Sequence, residues 1–348
     1  MKISTQLGYA GGFFETVAEI QELEKAGLDL VWVAEAYGFD GVSLMGYIAA
    51  KTETVRIASG ILPIYTRTPT LLAMTAAGVD ALSNGRAVLG IGASGPQVIE
   101  GFHGVVYDAP LTRTREIIEI CRKVWKRERL EFNGKKYKMP LGPEEGTGLG
   151  KALKLITHPV REEVPIAVAA LRPKSVAMTA ELADGWLPIF YFAEKAKQQW
   201  GEALAAGAAK RDPNRAPLEV FAGGAVGIGE GLEEMRGMGR HMTALYVGGM
   251  GARGKNFYNE LFASYGYEDE AKQIQDLYLD GKKQEAAAAI PDSFIEATTL
   301  IGSEGFVKDR LAALKESGVT TLNVNLVGNT TEERVQTLDK LRNLVEMI

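Results

Sequence analysis

The chain predicts the α/β class, as a (β/α)₈ TIM barrel with two insertions. Short apolar runs alternate with amphipathic helical runs from the N-terminus onward, and eight of the apolar runs have strand character. Those runs are continuously apolar, the pattern of parallel strands buried on both faces. A doubly wound sheet with an extra domain is the rival arrangement. It would want a phosphate-binding GxGxxG turn after the first strand, and Gly8-Tyr9-Ala10-Gly11-Gly12 lacks that spacing.

The elements follow in order. Ile3 to Tyr9 is the first strand, broken by Gly11-Gly12, and Phe13 to Ala26 is an amphipathic helix. Gly27 closes that helix, where a residue without a Cβ takes the left-handed conformation cheaply. Leu28 to Ala34 is the second strand and Val42 to Lys51 its helix. Val55 to Leu62 is the third strand; Pro69 stands at a helix start, where its missing N–H costs nothing, and leads Thr70 to Leu82. The turn cluster Ser83-Asn84-Gly85 precedes the fourth strand, Ala87 to Gly92, and the helix Thr112 to Trp125. The rhythm lapses over about 126–163, a charged stretch containing Gly and Pro. It resumes with strand Val164 to Ala169, helix Lys174 to Leu182, strand Asp184 to Pro188 and helix Glu194 to Ala209. Leu218 to Ile228 is the seventh strand and Gly231 to Tyr246 a helix. A second, helical insertion occupies about 248–297, most clearly Asn256 to Ala289. Helix Phe306 to Glu316, strand Thr321 to Val327 and a helix from Thr331 to Glu346, capped by Thr330, complete one barrel domain over residues 1–348.

Composition excludes several function classes. Among 348 residues there are three histidines and one cysteine. Cys121 has no partner for an internal disulfide, so a reducing, cytoplasmic setting is expected. His103, His158 and His241 lie far apart without metal-ligand spacing, so no metal site is expected. A net charge of −5 without long like-charge runs argues against a nucleic-acid footprint. No apolar stretch reaches the roughly 18 residues that a membrane span requires.

In such a barrel the site lies where strands end at their C-terminal edge. The residues there are Gly8-Tyr9, Glu35-Ala36-Tyr37, Gly60-Ile61-Leu62-Pro63, Ala93-Ser94-Gly95, Ala169-Ala170-Leu171-Arg172, Phe190-Tyr191, Gly227 and Gly328-Asn329. This set holds one acid, Glu35, and neither an activated nucleophile nor a carboxylate pair. Hydrolytic chemistry needs one or the other. A mouth of Gly and Ala suits a flat ligand that brings its own reactivity, leaving position to the protein. Leu171-Arg172-Pro173-Lys174-Ser175 joins a strand to a helix, so backbone N–H groups and two cations there can meet an anion; the alternative is an ordinary helix start. Glu35 is either a proton-handling group or a carboxylate that caps the next turn or pairs with Arg67. Tyr37, Tyr65 and Tyr191 are candidates for stacking on or donating to a ring, with plain packing as the alternative. His103 reads more readily as a loop residue than as a base.

At the third and fourth strands a resemblance emerges. Ser59-Gly60-Ile61-Leu62-Pro63, Arg67-Thr68-Pro69, Asp80-Ala81-Leu82-Ser83-Asn84-Gly85-Arg86 and Gly90-Ile91-Gly92-Ala93-Ser94 resemble the bacterial-luciferase-like superfamily. Within it the chain is similar to the coenzyme F420-dependent branch that includes methylenetetrahydromethanopterin reductase. Pro165-Ile166, Lys174-Ser175 and Glu181-Leu182-Ala183-Asp184-Gly185 extend the likeness over nearly the whole chain. It weakens in the two insertions.

The resemblance implies an oxidoreductase that moves hydride between F420 and a small organic substrate, and a homodimer. It implies a non-proline cis peptide at Gly60-Ile61 behind the deazaflavin ring, and Ser94 approaching ring or substrate. It also implies Ala169, Ala170, Leu171, Arg172, Lys174 and Ser175 along the cofactor's side chain and phosphate. Many relatives carry an Asp-His pair after the second strand, and this chain has Glu35-Ala36 there. The histidine, often assigned to proton transfer or ring contact, is thus missing, and Glu35, as the candidate catalytic and cofactor-contacting residue, or a tyrosine is left to supply a proton. Hydride delivery to an activated C=C or C=N bond needs no side-chain base, whereas oxidation of an alcohol wants one. Reduction is therefore the expected direction. The alternatives are an FMN-dependent monooxygenase of the same fold and a deazaflavin-binding protein without turnover.

Overall fold

The computed structural model describes residues 1–7 and 12–348, apart from the side chains of 233 and 234. The expected first-strand end and mouth residues Gly8-Tyr9, and Gly11 of the expected break, lie outside the described residues.

Eight parallel strands close into a barrel. They are β1 (Lys2–Leu7), β2 (Leu30–Val33), β3 (Arg56–Ser59), β4 (Ala87–Gly92), β5 (Ile166–Ala169), β6 (Gly185–Leu187), β7 (Glu219–Ala222) and β8 (Thr321–Leu326). Each pairs with the next in parallel register. β8 returns to β1 with Lys2 opposite Thr321 and Thr5 opposite Val324, which closes the barrel.

Alternation along each strand sorts side chains into two cores. Leu30, Trp32, Ala58, Val88, Ala167 and Phe221 fill the barrel interior. Trp32 and Phe221 meet edge to face at 4.8 Å, and the Trp32 indole N–H donates to Ser4 Oγ at 3.1 Å, satisfying its polar end. The intervening Val31, Val33, Ile57, Leu89, Ile166 and Val168 face the helices outside.

Those helices include α1 (Phe13–Lys25), α2 (Gly41–Lys51), α3 (Pro69–Leu82), α4 (Pro110–Trp125), α5 (Pro173–Leu182), α6 (Ala193–Ala208) and α7 (Glu233–Ala244). α1 ends as expected, with Gly27 at φ 87° and its N–H on the Glu24 carbonyl. The chain between α7 and β8 carries α8 (Phe257–Ser264), α9 (Glu268–Leu279), α10 (Lys283–Ala288), α11 (Asp292–Thr298) and α12 (Glu304–Glu316), and α13 (Thr331–Glu346) ends the chain. Thr330 Oγ1 accepts from Glu333 N–H and caps α13. Among the described residues no helix is long and apolar enough to cross a membrane.

Two expectations are corrected. The seventh strand, read as continuous from Leu218 to Ile228, is interrupted at Gly223-Gly224. A Cβ on Gly223 would lie 2.5 Å from the Asn323 carbonyl oxygen, and one on Gly224 2.1 Å from that of Thr298. Beyond the break, Ala225–Ile228 pairs with the upper part of β8 and with a short strand, Leu300–Gly302. That three-residue strand is too short for periodicity to reveal. The charged stretch after α4 also contains a small antiparallel hairpin, Phe132–Asn133 with Lys138–Met139.

Candidate active site

The site is built on an irregularity in β3. Ladder pairing with β4 ends after Ala58 and resumes with Leu62 opposite Ile91. In the gap, Ser59 Oγ donates to the Gly90 carbonyl at 2.7 Å and accepts from Gly90 N–H at 2.9 Å. A cis peptide at Gly60-Ile61 follows, as the resemblance implies. Glycine is required at Gly90, where a Cβ would lie 1.7 Å from the Ser59 carbonyl oxygen, and space is tight at Gly60, where one would lie 3.0 Å from Trp32 Cβ.

The bulge turns Ile61 across β4 toward β5. A Cβ on Gly92 would lie 3.0 Å from Ile61 Cγ1 and 3.3 Å from Ala169 Cβ, so Ile61, Gly92 and Ala169 share one face. The end of β5 is then pinned from below. The Ala170 carbonyl accepts from the Trp186 indole and the Leu171 carbonyl from that of Trp200, both at 2.8 Å.

Arg172 opens α5 in an extended conformation, with Pro173 at the first helical position. Its carbonyl accepts from Ser175 N–H at 2.9 Å and from Ser175 Oγ at 2.8 Å, so that hydroxyl's proton is already engaged. Its guanidinium pairs with Glu260 of α8 at 3.1 Å, where the two side chains are 66 % and 51 % exposed. An ion pair so open to water is worth little. Lys174 is exposed and, among the described residues, makes no ion pair.

Ser94 adopts φ 58°, and its carbonyl accepts from Tyr107 Oη at 3.4 Å. Burial raises the Tyr107 phenol above its ordinary pKa, while the nearby Arg172 charge opposes that shift. The Tyr107 ring packs against Tyr65 at 5.0 Å; Tyr65 donates to the Asp108 carbonyl at 2.9 Å, and burial raises its phenol pKa too.

Glu35 takes the pairing alternative. Its Oε1 and Oε2 accept from Nη1 and Nη2 of Arg67 at 2.5 and 2.9 Å, and Oε2 also accepts from Gly41 N–H at 2.7 Å. The side chains are only 9 % and 14 % exposed. The remaining aromatic candidates divide. Tyr191 is buried, stacks on Trp200 and donates to the Ser317 carbonyl, a packing role. Tyr37 is exposed beside Phe102. His103 Nε2 is the one buried side-chain nitrogen or oxygen among the described residues that lacks a partner.

The structure therefore joins Ile61 with Ala169 beside Gly92, ties Ser94 to Tyr107, and holds Glu35 on Arg67. Sequence reasoning missed Tyr107, Arg113, Tyr137 and Glu260. Arg113 lies between the rings of Tyr65 and Tyr137, at 5.5 and 5.4 Å from their centroids. Nothing in the linear spacing signals that grouping.

The family model described as luciferase-like monooxygenase matches residues 1–321. A Mycobacterium tuberculosis protein provisionally named as a coenzyme F420-dependent oxidoreductase is 40 % identical over 93 % of this chain and 94 % of its own. The 5,10-methylenetetrahydromethanopterin reductase of Archaeoglobus fulgidus is 26 % identical over 88 % of each chain. The F420-dependent tetrahydromethanopterin reductase of Methanopyrus kandleri superposes with a TM-score of 0.81 at 19 % identity, covering 97 % of each chain, and so supports the fold.

Proposed function

Because the chain belongs to the luciferase-like monooxygenase family, we propose that it is an oxidoreductase moving hydride between coenzyme F420 and a small organic substrate. The observation that carries this reading is the face shared by Ile61, Gly92 and Ala169, three residues without a reactive side chain. A planar ring fits such a face, and the 40 % identical relative named for F420 supports the choice of cofactor. When bound, the deazaflavin supplies the hydride-carrying carbon.

The chain's own residues position the ring and its tail. Ile61 and Ala169 support one face, and the indole-pinned carbonyls of Ala170 and Leu171 keep the β5 end rigid. Ser94 borders the ring or the substrate. The first turn of α5, with Lys174 and Arg172, meets the phosphate; Ser175 contributes after its hydroxyl leaves the Arg172 carbonyl. Both oxygens of Glu35 are engaged by Arg67, which favours reduction of an activated C=C or C=N bond over alcohol oxidation. Proton transfer and ring contact by Glu35 remain part of the proposal. If Glu35→Gln lowers kcat, the proton role stands; if it changes only KM, Glu35 acts by positioning Arg67.

Parallel titration of the protein with F420 and FMN tests the assignment. Saturable F420 binding with redox change on a panel of enones and imines is expected. Tight FMN binding without F420 binding would transfer the reading to a monooxygenase, as the family name allows; F420 binding without turnover on any acceptor would make it a carrier.

A homodimer and a cytoplasmic setting belong to the same proposal. The exposed stripe Leu71, Met74, Gly78 and Leu82 of α3 carries no charge, and the helix's one acid, Asp80, is buried against Arg161. Light scattering is expected to give twice the 37.6 kDa chain mass. The single cysteine, Cys121, is buried and free, which fits a reducing compartment.

A further inference from the structure

A cleft of about 240 Å³ opens beside the proposed cofactor face, lined by Ile64, Tyr65, Arg67, Val105, Arg113 and Tyr137. Its volume suits a small molecule rather than a drug-sized one, since such pockets start at roughly 300 Å³. One wall leads to the cofactor face: Ile64 N–H donates to the Gly92 carbonyl at 3.0 Å, and Tyr65 packs on Tyr107.

The polar end of the cleft carries two arginines, each already paired: Arg67 with Glu35, and Arg113 with Asp108, which Lys136 shares. The arginines also keep donors in reserve. A guanidinium has five N–H groups. Arg67 spends its Nη1–Nη2 end on Glu35 and, among the described residues, has no partner for Nε–H. That leaves the Nε–Nη2 edge, the edge suited to a bidentate carboxylate. Arg113 spends its Nε–Nη2 edge on Asp108 and gives one Nη1 bond, at 3.3 Å, to Tyr137 Oη. Ile64, Val105 and the two tyrosine rings supply the apolar walls.

We propose that this cleft is a subsite for a small organic acid, with its carboxylate on Arg67 and Arg113 and its apolar body between Tyr65, Tyr137 and Val105. It deepens the oxidoreductase reading by naming the substrate class, and it rests on that reading for the hydride chemistry alone. Glu35 then has a second task, holding Arg67 so that its free edge faces the cleft.

Calorimetric titration with benzoate and its neutral isostere benzamide, with and without F420, tests the proposal. Benzoate is expected to bind saturably, and benzamide at least about tenfold more weakly. Arg113→Gln is expected to weaken benzoate about tenfold. Because Arg113 is packed between two rings, Val105→Trp serves as a second variant that fills the cleft without altering charge, and it is expected to abolish benzoate binding. Equal affinity for benzoate and benzamide, or unchanged benzoate binding in Val105→Trp, would overturn the proposal. Mutual displacement of benzoate and F420 would also overturn it, assigning the carboxylate to the cofactor's own tail; simultaneous binding supports a substrate subsite. F420 titration of Val105→Trp keeps the two readings separate, because cofactor binding is expected to persist there. Absence of F420 binding by the wild type would remove the cofactor reading and leave the benzoate result intact.

Discussion

The hydroxyl of Ser59 occupies the place of a strand neighbour, bonding both the N–H and the carbonyl of Gly90 where β3 leaves the ladder. Ser59 is fully buried, so neither Gly90 group has water as a substitute partner. Ser59→Ala is therefore expected to destabilise the fold by about 1–3 kcal/mol, the cost of stranding buried polar groups. Urea unfolding would measure it, and an unchanged midpoint would show that the bulge holds without the hydroxyl.

The Glu35–Arg67 pair is almost entirely shielded, which makes each partner dependent on the other. Glu35→Gln or Arg67→Gln alone is expected to cost about 3 kcal/mol, because a buried charge is left uncompensated. The double substitution should recover a large part of that loss, as coupled neighbours do. Additive losses in the thermodynamic cycle would rule out the coupling.

Lys174 predicts the opposite balance, ligand binding without stability. It is exposed and makes no ion pair among the described residues, so Lys174→Ala should leave the melting temperature unchanged. F420 affinity should fall about tenfold, more at low salt than at high salt. Arg172→Ala together with Lys174→Ala should weaken it further. Glu260→Gln should strengthen it a few-fold by releasing Arg172 from its carboxylate. Unchanged F420 affinity across these variants would remove the phosphate assignment.

At the far end of the barrel, Arg56 makes two hydrogen bonds to Glu219, at 2.9 and 3.1 Å, and Thr321 Oγ1 adds a third at 2.7 Å. Burial pushes the Glu219 carboxyl upward, but these partners outweigh it and hold the pKa below its ordinary 4.5. A carboxylate depressed on folding contributes stability above its unfolded pKa and loses it as pH falls through the folded value. Acid titration of the melting temperature should thus drop more steeply below about pH 4.5 in the wild type than in Glu219→Gln. Parallel curves would show that other carboxylates govern acid unfolding.

The amino-acid sequence by itself determined the barrel, its helix ends and the poverty of the mouth in reactive side chains. These depend on short-range physics: periodicity along a strand, the left-handed Gly27 after α1, and the Thr330 cap on α13. It also read Glu35 either as a proton-handling group or as a carboxylate that caps the next turn or pairs with Arg67, and the fold forms that pair. Tertiary structure decided the rest. The break at Gly223-Gly224 arises because two backbone carbonyls from distant segments press on it, and Leu300–Gly302 is a strand only because Ala225–Ile228 lies beside it. Arg113 between Tyr65 and Tyr137, and Arg172 on Glu260, pair residues from separate elements. Only tertiary packing brings such residues together, because a contact between distant positions has no local periodicity to announce it.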